Sequence, residues 1–200
     1  MKKETKTKRT LSDSIIKEGI FDKGTLNLIE GTITLSSGAV REGTFDKYTG
    51  YLIEGKKTNS NRILGDRIEE GKFDKDSGYL IEGKGTYANA SLVEEGKFDK
   101  YTSNLIEGKV TFDDGTVFEG KFDKDTGDLI EGKYFCSETG TVEEGKFEKD
   151  TLTLIEGKRT NFHGVSEEGT FDEYTEILIE GKVTYSDGTI EFVNNLAEAA

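Results

Sequence analysis

Two short motifs, E-G-x-F and L-I-E-G, alternate seven times along the 200 residues of this chain. From the phenylalanine of the first motif to the isoleucine of the second is always 8 residues, whereas the return to the next phenylalanine takes 16 to 20 residues. A repeat of this period indicates stacked supersecondary units that bury their apolar faces against one another. The phenylalanines are Phe21, Phe45, Phe73, Phe98, Phe122, Phe147 and Phe171, and the isoleucines are Ile29, Ile53, Ile81, Ile106, Ile130, Ile155 and Ile179.

The constant spacing predicts an antiparallel hairpin in every unit. If Phe122 lies opposite Ile130, then Lys121 faces Glu131 and residues 125–127 remain for the turn. Opposite charges that face each other across two strands stabilise the pairing. A three-residue turn needs a left-handed last residue, which is usually glycine. Glycine stands there in three units (Gly50, Gly78 and Gly127) but not in three others (Leu26, Leu152 and Glu176), so the turn geometry is expected to vary.

The variable return path is predicted to be a second kind of hairpin. The 16-residue returns place three-residue turns at Asp113-Asp114-Gly115, Ser36-Ser37-Gly38 and Phe162-His163-Gly164. The 17-residue returns need a bulge or a four-residue loop. The 20-residue return predicts a longer excursion through residues 59–66.

These registers give the predicted sheet two different faces. One face carries charged ladders such as Glu95, Lys97, Glu107 and Lys109. The other carries a Phe/Ile row, then paired glycines, then a second apolar row that includes Val110, Phe112 and Phe118. Bare backbone between two apolar rows forms a trench in which a partner can lie. We therefore predict an all-β fold, an elongated single-layer antiparallel meander of stacked β-hairpins with roughly fifteen strands.

Several stretches resemble the MORN repeat (membrane occupation and recognition nexus). They are VFEGKFDK at 117–124, EGKGTY at 82–87, EGKVTF at 107–112, EGKVTY at 180–185 and the turns Asp114-Gly115 and Asp187-Gly188. The resemblance covers residues 14 to 193, with longer units and without the tryptophan-rich, basic character of many members. It implies a rod of stacked hairpins that acts as a scaffold or dimerises, that approaches membranes through partners, and whose repeats are not catalytic.

Charge and cysteine content narrow the possible partners and compartments. The net charge of −13 repels phosphate backbones and anionic headgroups, so binding of nucleic acid or lipid by the acidic body is disfavoured. One cysteine, Cys136, excludes an internal disulfide framework. The chain has neither a long apolar run nor a signal-peptide pattern. We therefore expect a cytoplasmic or otherwise intracellular protein with no signal peptide and no transmembrane segment.

Two motifs suggest ligands, but repetition explains both. G-x-x-x-x-G-K resembles a phosphate loop, but no Ser or Thr follows its lysine and no strand-loop-helix pattern surrounds it. A calcium site is the other possibility, with oxygen ligands from Asp123, Asp125, Asp128 and Glu131 or from a similar set in the third unit. Because lysine interrupts these sites and the spacing is not that of an EF-hand, an acidic hairpin turn is the preferred interpretation. No cofactor is expected.

No catalytic group can be assembled from the sequence. The single histidine, His163, falls at a predicted turn apex, and Cys136 is expected to be a small, partly buried filler. The carboxylates recur in ladders beside lysines, whereas a catalytic pair should be a local exception with divergent environments. We therefore expect the protein not to be an enzyme.

The two ends of the chain differ from the repeats. Residues 1–12, which include MKKETKTKRT with five basic residues and one acid, are interpreted as a basic flexible tail. This tail is either simply solvated or an electrostatic arm for nucleic acid, a membrane surface or an acidic partner. Residues 13–193 form the predicted seven-unit array, and residues 194–200 a C-terminal cap or tail.

The function predicted from these features is a non-enzymatic repeat scaffold that binds a protein partner or another copy of itself through the trench. A structural protein of a shell or filament and a calcium- or ligand-binding β-repeat module are the alternatives. The predicted partner-binding residues are Phe98, Ile106, Phe122, Ile130, Gly96, Gly108, Gly120 and Gly132.

Overall fold

A computed structural model of the chain describes residues 7–10, 15–61, 65–87 and 91–194. All regular secondary structure in these ranges is β, and sixteen strands lie in chain order in one open antiparallel sheet. The predicted all-β, single-layer meander of hairpins is therefore confirmed, with one strand more than expected. The chain divides into two compact units, Met1–Ser103 and Asn104–Ala200.

Each of these two compact units contains eight of the described strands. Those of the first unit are β1 (Thr7–Thr10), β2 (Ile16–Phe21), β3 (Leu28–Thr34), β4 (Val40–Phe45), β5 (Leu52–Asn61), β6 (Gly65–Phe73), β7 (Leu80–Tyr87) and β8 (Leu92–Phe98). Those of the second unit are β9 (Leu105–Phe112), β10 (Val117–Phe122), β11 (Leu129–Phe135), β12 (Val142–Phe147), β13 (Leu154–Thr160), β14 (Ser166–Phe171), β15 (Leu178–Thr184) and β16 (Ile190–Asn194).

The charged and glycine pairs follow the predicted register, but the apolar pair does not. In the hairpin of β10 and β11, Lys121 faces Glu131 and Gly120 faces Gly132, as predicted. Phe122, however, pairs with Leu129, and the register shifts between Lys121 and Phe122. The predicted Phe–Ile pairing is therefore wrong. The same shift to leucine occurs at Phe21, Phe45, Phe73, Phe147 and Phe171.

A longer turn causes this shift. The Asp123 N–H donates to the Asp128 carbonyl, and the Gly127 N–H donates to the Asp123 carbonyl, both at 2.8 Å. Four residues, 124–127, therefore lie between the paired aspartates, one more than predicted. The charged pairs nevertheless keep their register. Ile130, which lies between the paired residues Leu129 and Glu131, is therefore the extra residue of a β-bulge.

The last residue of these turns is left-handed whether or not it is glycine. Gly50 and Gly127 have φ of 74° and 85°, and Leu26, Leu152 and Glu176 have φ of 63°, 60° and 59°. The Leu26 N–H donates to the Asp22 carbonyl, as the glycine N–H groups do in their own turns. The expected variation in turn geometry is therefore wrong, because the hairpin imposes one backbone shape on different residues.

Replacing Leu26 with glycine is expected to raise the free energy of unfolding by about 1 kcal/mol, because glycine adopts the left-handed conformation without the Cβ clash of leucine. The Leu26 side chain is 58% exposed, so little buried area is lost. Urea unfolding followed by circular dichroism measures the change. The reverse substitution, Gly50→Ala, is the control and should lower stability by a similar amount. A loss of stability in Leu26→Gly would contradict this explanation.

The return turns agree with prediction where the structure describes them. The Gly115 N–H donates to the Phe112 carbonyl and closes the predicted three-residue turn, and the turns that contain Gly38 and Gly164 have the same bond. The Gly140 N–H donates to the Cys136 carbonyl, which gives the four-residue loop of a 17-residue return. Instead of a loop, the long return continues the strand pairing to Asn61 and Gly65. Residues 62–64 and 88–90 lie outside the described part of the chain.

Phenylalanine and leucine, not phenylalanine and isoleucine, form the hydrophobic core. Six of the seven repeat phenylalanines are 3–6% exposed, and the seven leucines that precede the repeat isoleucines are 0–3% exposed. The isoleucines that follow these leucines are only partly buried. Within each unit, each bulged hairpin thus adds one Phe–Leu pair to a buried row.

The chain ends are only partly described. Residues Thr7–Thr10, which the sequence assigns to the basic tail, form β1 and pair antiparallel with β2. Residues 1–6 and 11–14 lie outside the described ranges, as do residues 195–200 of the predicted C-terminal cap. The last described residue, Asn194, ends β16.

Candidate functional site

The row of paired glycines is built so closely that no other residue fits. Gly120 and Gly132 have φ of 154° and 149°, values that L-residues rarely adopt. A Cβ added to Gly120 would lie 2.1 Å from the Glu131 carbonyl oxygen and 2.7 Å from the Gly132 Cα. Gly120 also pairs with Gly108 on its other side. The predicted glycine row is therefore present in the second unit.

An open groove lies over part of the glycine row of the second unit. Its volume is about 500 Å³, and its floor includes Gly157 and Gly169. We call it the glycine groove, and its walls are formed by the charged ladder and a threonine: Glu144, Glu156, Glu168, Lys158 and Thr170. The trench was predicted on the apolar face, whereas this groove is walled by ladder residues and therefore opens on the charged face of the sheet.

A second depression of about 420 Å³ shares two wall residues, Glu156 and Thr170, with the glycine groove. Ile155 and Ile179 line it, and the exposed Tyr174 stands beside them. The bulge explains this position, because the extra isoleucine is released from the Phe–Leu row. We call this second depression the isoleucine pocket.

The predicted partner-binding residues are divided between the core and the surface. The rings of Phe98 and Phe122 are 3% and 6% exposed, so they offer little area to a partner. Ile106 and Ile130 are partly buried and keep some accessible surface. The glycines of the row (Gly96, Gly108, Gly120 and Gly132) are also partly accessible. Gly96 and Phe98 belong to the first unit, and the other six residues to the second.

The predicted second apolar row is aromatic only in part. In the second unit, Phe118 makes an edge contact with Phe112 at 5.7 Å and stacks on Tyr134 at 4.9 Å, measured between ring centroids. Burial, assisted by the Cys136 thiol, raises the pKa of the Tyr134 hydroxyl to about 12. Elsewhere the same row holds charged residues such as Lys57, Glu69 and Arg159, which the prediction did not anticipate.

Three cations of this row share one arrangement that sequence reasoning missed. Arg9, Lys57 and Arg159 each lie over a repeat phenylalanine, at 4.1, 4.9 and 5.1 Å from the ring centroid. Each also donates to the carbonyl of the left-handed turn residue of that hairpin, at 3.4, 2.9 and 3.0 Å. We call them the bridging cations, since each joins a turn to the core. The recurring K-[K/R]-T sequence at 8–10, 56–58 and 158–160 could have revealed them.

The carboxylates considered for calcium hold the turns and pair with lysines. Asp123 accepts the N–H groups of Asp125 and Thr126, both at 2.9 Å. These bonds, together with Lys149, lower the pKa of Asp123 to about 2. Glu131 pairs with a lysine at 2.7 Å and Asp125 with another at 2.9 Å. Among the described residues, no group of three or more His, Cys, Asp or Glu side chains is arranged to hold a metal ion.

The other residues singled out in the sequence lie in turns and strands. His163 is exposed in a return turn, with its ring 3.7 Å from that of Phe162. Cys136 is partly buried and free. The phosphate-loop lysines, Lys56, Lys84 and Lys133, lie on strands that pair on both sides. Those matches therefore lie in strand-turn-strand segments.

No protein-family model matches this sequence, and a comparison with curated proteins gives no significant relative. In the described part of the chain, no helix has the length and apolar character required to cross a membrane.

Proposed function

We propose that this protein is a non-enzymatic repeat scaffold that binds a protein partner, or a second copy of itself, along the glycine groove and the adjacent isoleucine pocket. The observation that carries this function is the accessible glycine floor next to partly buried isoleucines. Such a surface combines apolar area with backbone that a partner chain can approach closely.

The chemistry of the groove favours an extended or helical protein segment. Ile155 and Ile179 supply apolar contacts, whereas Lys158 and the glutamates on the rim offer charged contacts that select the partner. The exposed ring of Tyr174, 86% accessible, adds the kind of side chain that is enriched where proteins bind each other.

We also propose that the chain is a divergent MORN-like protein. The hairpin repeat, the glycine pairs and the D-G return turns support this relationship. A non-catalytic role is favoured because the ladder carboxylates recur in similar lysine-paired settings. Lys72–Glu82, Lys121–Glu131 and Lys146–Glu156 pair at 2.8, 2.7 and 2.6 Å.

Replacing both Ile155 and Ile179 with lysine is expected to abolish capture of a discrete partner, or dimer formation, because charge enters the apolar part of the surface. Light scattering measures self-association, and affinity capture followed by mass spectrometry measures partner binding. The control is Ile177→Lys. Ile177 is 59% exposed and does not line the isoleucine pocket, so its replacement should leave binding unchanged.

The design separates loss of binding from loss of fold. Circular dichroism should show the same β signal in the wild type, the double variant and the control. A wild-type protein that stays monomeric and captures no partner would contradict the proposal. A partner that binds the folded double variant as well as the wild type would show that binding does not use this surface.

A further inference from the structure

A small cavity in the first unit has a charge pattern unlike the rest of the molecule. Its volume is about 220 Å³, and it lies beside the bridging cation Lys57. Arg41 of β4 faces Lys57 of β5 across the sheet, and both line the cavity. Tyr51 and Tyr79, which are 40% and 44% exposed, also line it. The lining of the cavity therefore combines two cations with two partly exposed aromatic rings.

The cations at this place outnumber the carboxylates. Lys57 pairs at 2.9 Å with Glu69, which is only 2% exposed, and Arg67 shares the same carboxylate at 3.3 Å. The Arg41 guanidinium has no hydrogen bond or ion pair with any residue that the structure describes. Glu94, further along the same row on β8, has a pKa raised by burial and accepts the Tyr87 hydroxyl at 2.7 Å. Of the two cations that line the cavity, Arg41 is thus the one that has no carboxylate partner among the described residues.

The equivalent place in the second unit shows the opposite balance. There Arg159 pairs with Glu143, and its other guanidinium nitrogens lie 3.9 Å from Glu167 and 3.6 Å from Glu176. One cation is therefore surrounded by three carboxylates. The excess positive charge of the first-unit cavity is therefore absent at its second-unit counterpart, and it occurs in a chain with a net charge of −13.

The state of Lys57 reflects this excess. Burial lowers its pKa, Glu69 acts in the opposite direction, and repulsion from Arg67 and Arg41 lowers the pKa further. An anion placed beside Arg41 would reduce that repulsion. The positive charges of the site therefore favour binding of one additional negative charge.

We propose that this cavity binds a carboxylate side chain of an acidic peptide, with Arg41 as its principal contact. A guanidinium and a carboxylate form two parallel hydrogen bonds, and the volume is that of a side chain and not of a large ligand. The tyrosines can pack on the methylene groups that carry the carboxylate. One cation with no carboxylate partner in the described part of the chain matches a single negative charge, and the acidic body repels polyanions. This site goes beyond the glycine groove and does not depend on it.

Titration of the isotope-labelled protein with the peptide Ac-Ala-Glu-Ala-NH2 tests the proposal by NMR. Saturable shifts are expected at the Arg41 Nε–H and at the ring signals of Tyr51 and Tyr79. The glutamine analogue of the peptide should bind about tenfold more weakly, and Arg41→Gln should weaken binding of the acidic peptide about tenfold, because a charged hydrogen-bond pair is lost. The control Lys133→Gln makes the same charge change at an exposed ladder position in the second unit and should leave affinity unchanged.

Arg41→Gln is expected to fold, because it removes a like charge from beside Lys57, and its melting temperature checks this. If it does not fold, Tyr79→Ala provides the second test, and an unchanged affinity in that variant would overturn the proposal. Equal binding of the glutamine peptide, or equal affinity in folded Arg41→Gln, would also overturn it. Inorganic phosphate that saturates the same signals at a lower concentration than the peptide would assign the cavity to phosphate instead.

Discussion

Replacing Gly83 with alanine is expected to lower the free energy of unfolding of the first unit by about 4 kcal/mol or more. A Cβ at this position would lie 2.1 Å from the Glu70 carbonyl oxygen and 2.8 Å from the Gly71 Cα. Both atoms belong to the backbone of β6, so no side chain can move aside. The strands must separate or Gly83 must leave its φ of 144°, and either change breaks the pairing of β6 with β7.

Gly85→Ala is the matched control, because Gly85 lies two residues further along the same strand. There the nearest atom to an added Cβ is in the Tyr87 ring at 3.5 Å, which is an ordinary contact. Stability should change by less than about 1 kcal/mol, since alanine is preferred to glycine in a strand interior. Urea unfolding followed by circular dichroism compares the two variants. Similar values for both would show that the close approach of the glycines does not determine stability.

Leu129→Ala is expected to destabilise the second unit by about 2–5 kcal/mol, the range for truncation of a large buried side chain. Leu129 is 2% exposed and pairs with Phe122 in the buried row. Ile130→Ala removes a branched side chain of the same size from the next position, which is only partly buried. Its expected cost is about 1 kcal/mol, because less apolar area returns to water.

This comparison decides between the two possible registers. A pairing of phenylalanine with isoleucine, as the spacing alone suggested, would make Ile130→Ala the more damaging substitution. Unfolding in urea, followed by circular dichroism and by tyrosine fluorescence in this tryptophan-free chain, gives both free energies. A greater loss in Ile130→Ala than in Leu129→Ala would contradict the bulged hairpin.

The polar part of the register could be predicted because it depends on counting and on charge. Lys121 and Glu131 attract each other at 2.7 Å, and the glycine pair next to them in the ladder tolerates no other residue. The glycines recur in all seven repeats and the Lys–Glu pair in several of them, so the repeats support one common register. The three-residue return turns could be predicted for the same reason, because Gly115 and its equivalents mark the left-handed position.

The residue that forms the β-bulge of each hairpin could not be predicted in the same way. Leucine and isoleucine are adjacent and similarly apolar, so composition does not say which one the sheet buries. The four-residue turn after Asp123 decides it, since the Asp128 carbonyl accepts the Asp123 N–H and places Leu129 opposite Phe122. The left-handed backbone of Leu26 is a similar case, because the hairpin overrides a local preference against that conformation.

The candidate sites likewise combine features that the sequence predicts with features that only the structure reveals. The glycine row was visible in the sequence, but its charged walls at Glu156 and Lys158 emerged only from the structure. Arg41 had no distinguishing motif, because its importance depends on what surrounds it. Only the folded unit places it beside Lys57, with no ion pair to a carboxylate of the described ranges.

The sequence by itself determined the repeat, the strand order, the charge ladders and the glycine pairs, because each follows from short-range spacing that seven units repeat. The tertiary structure decided which apolar residue enters the core and which described cations and carboxylates pair with each other. Those outcomes depend on turn hydrogen bonds and on neighbours from other strands. Spacing fixes which residues can meet, whereas burial and hydrogen bonding select which of them do.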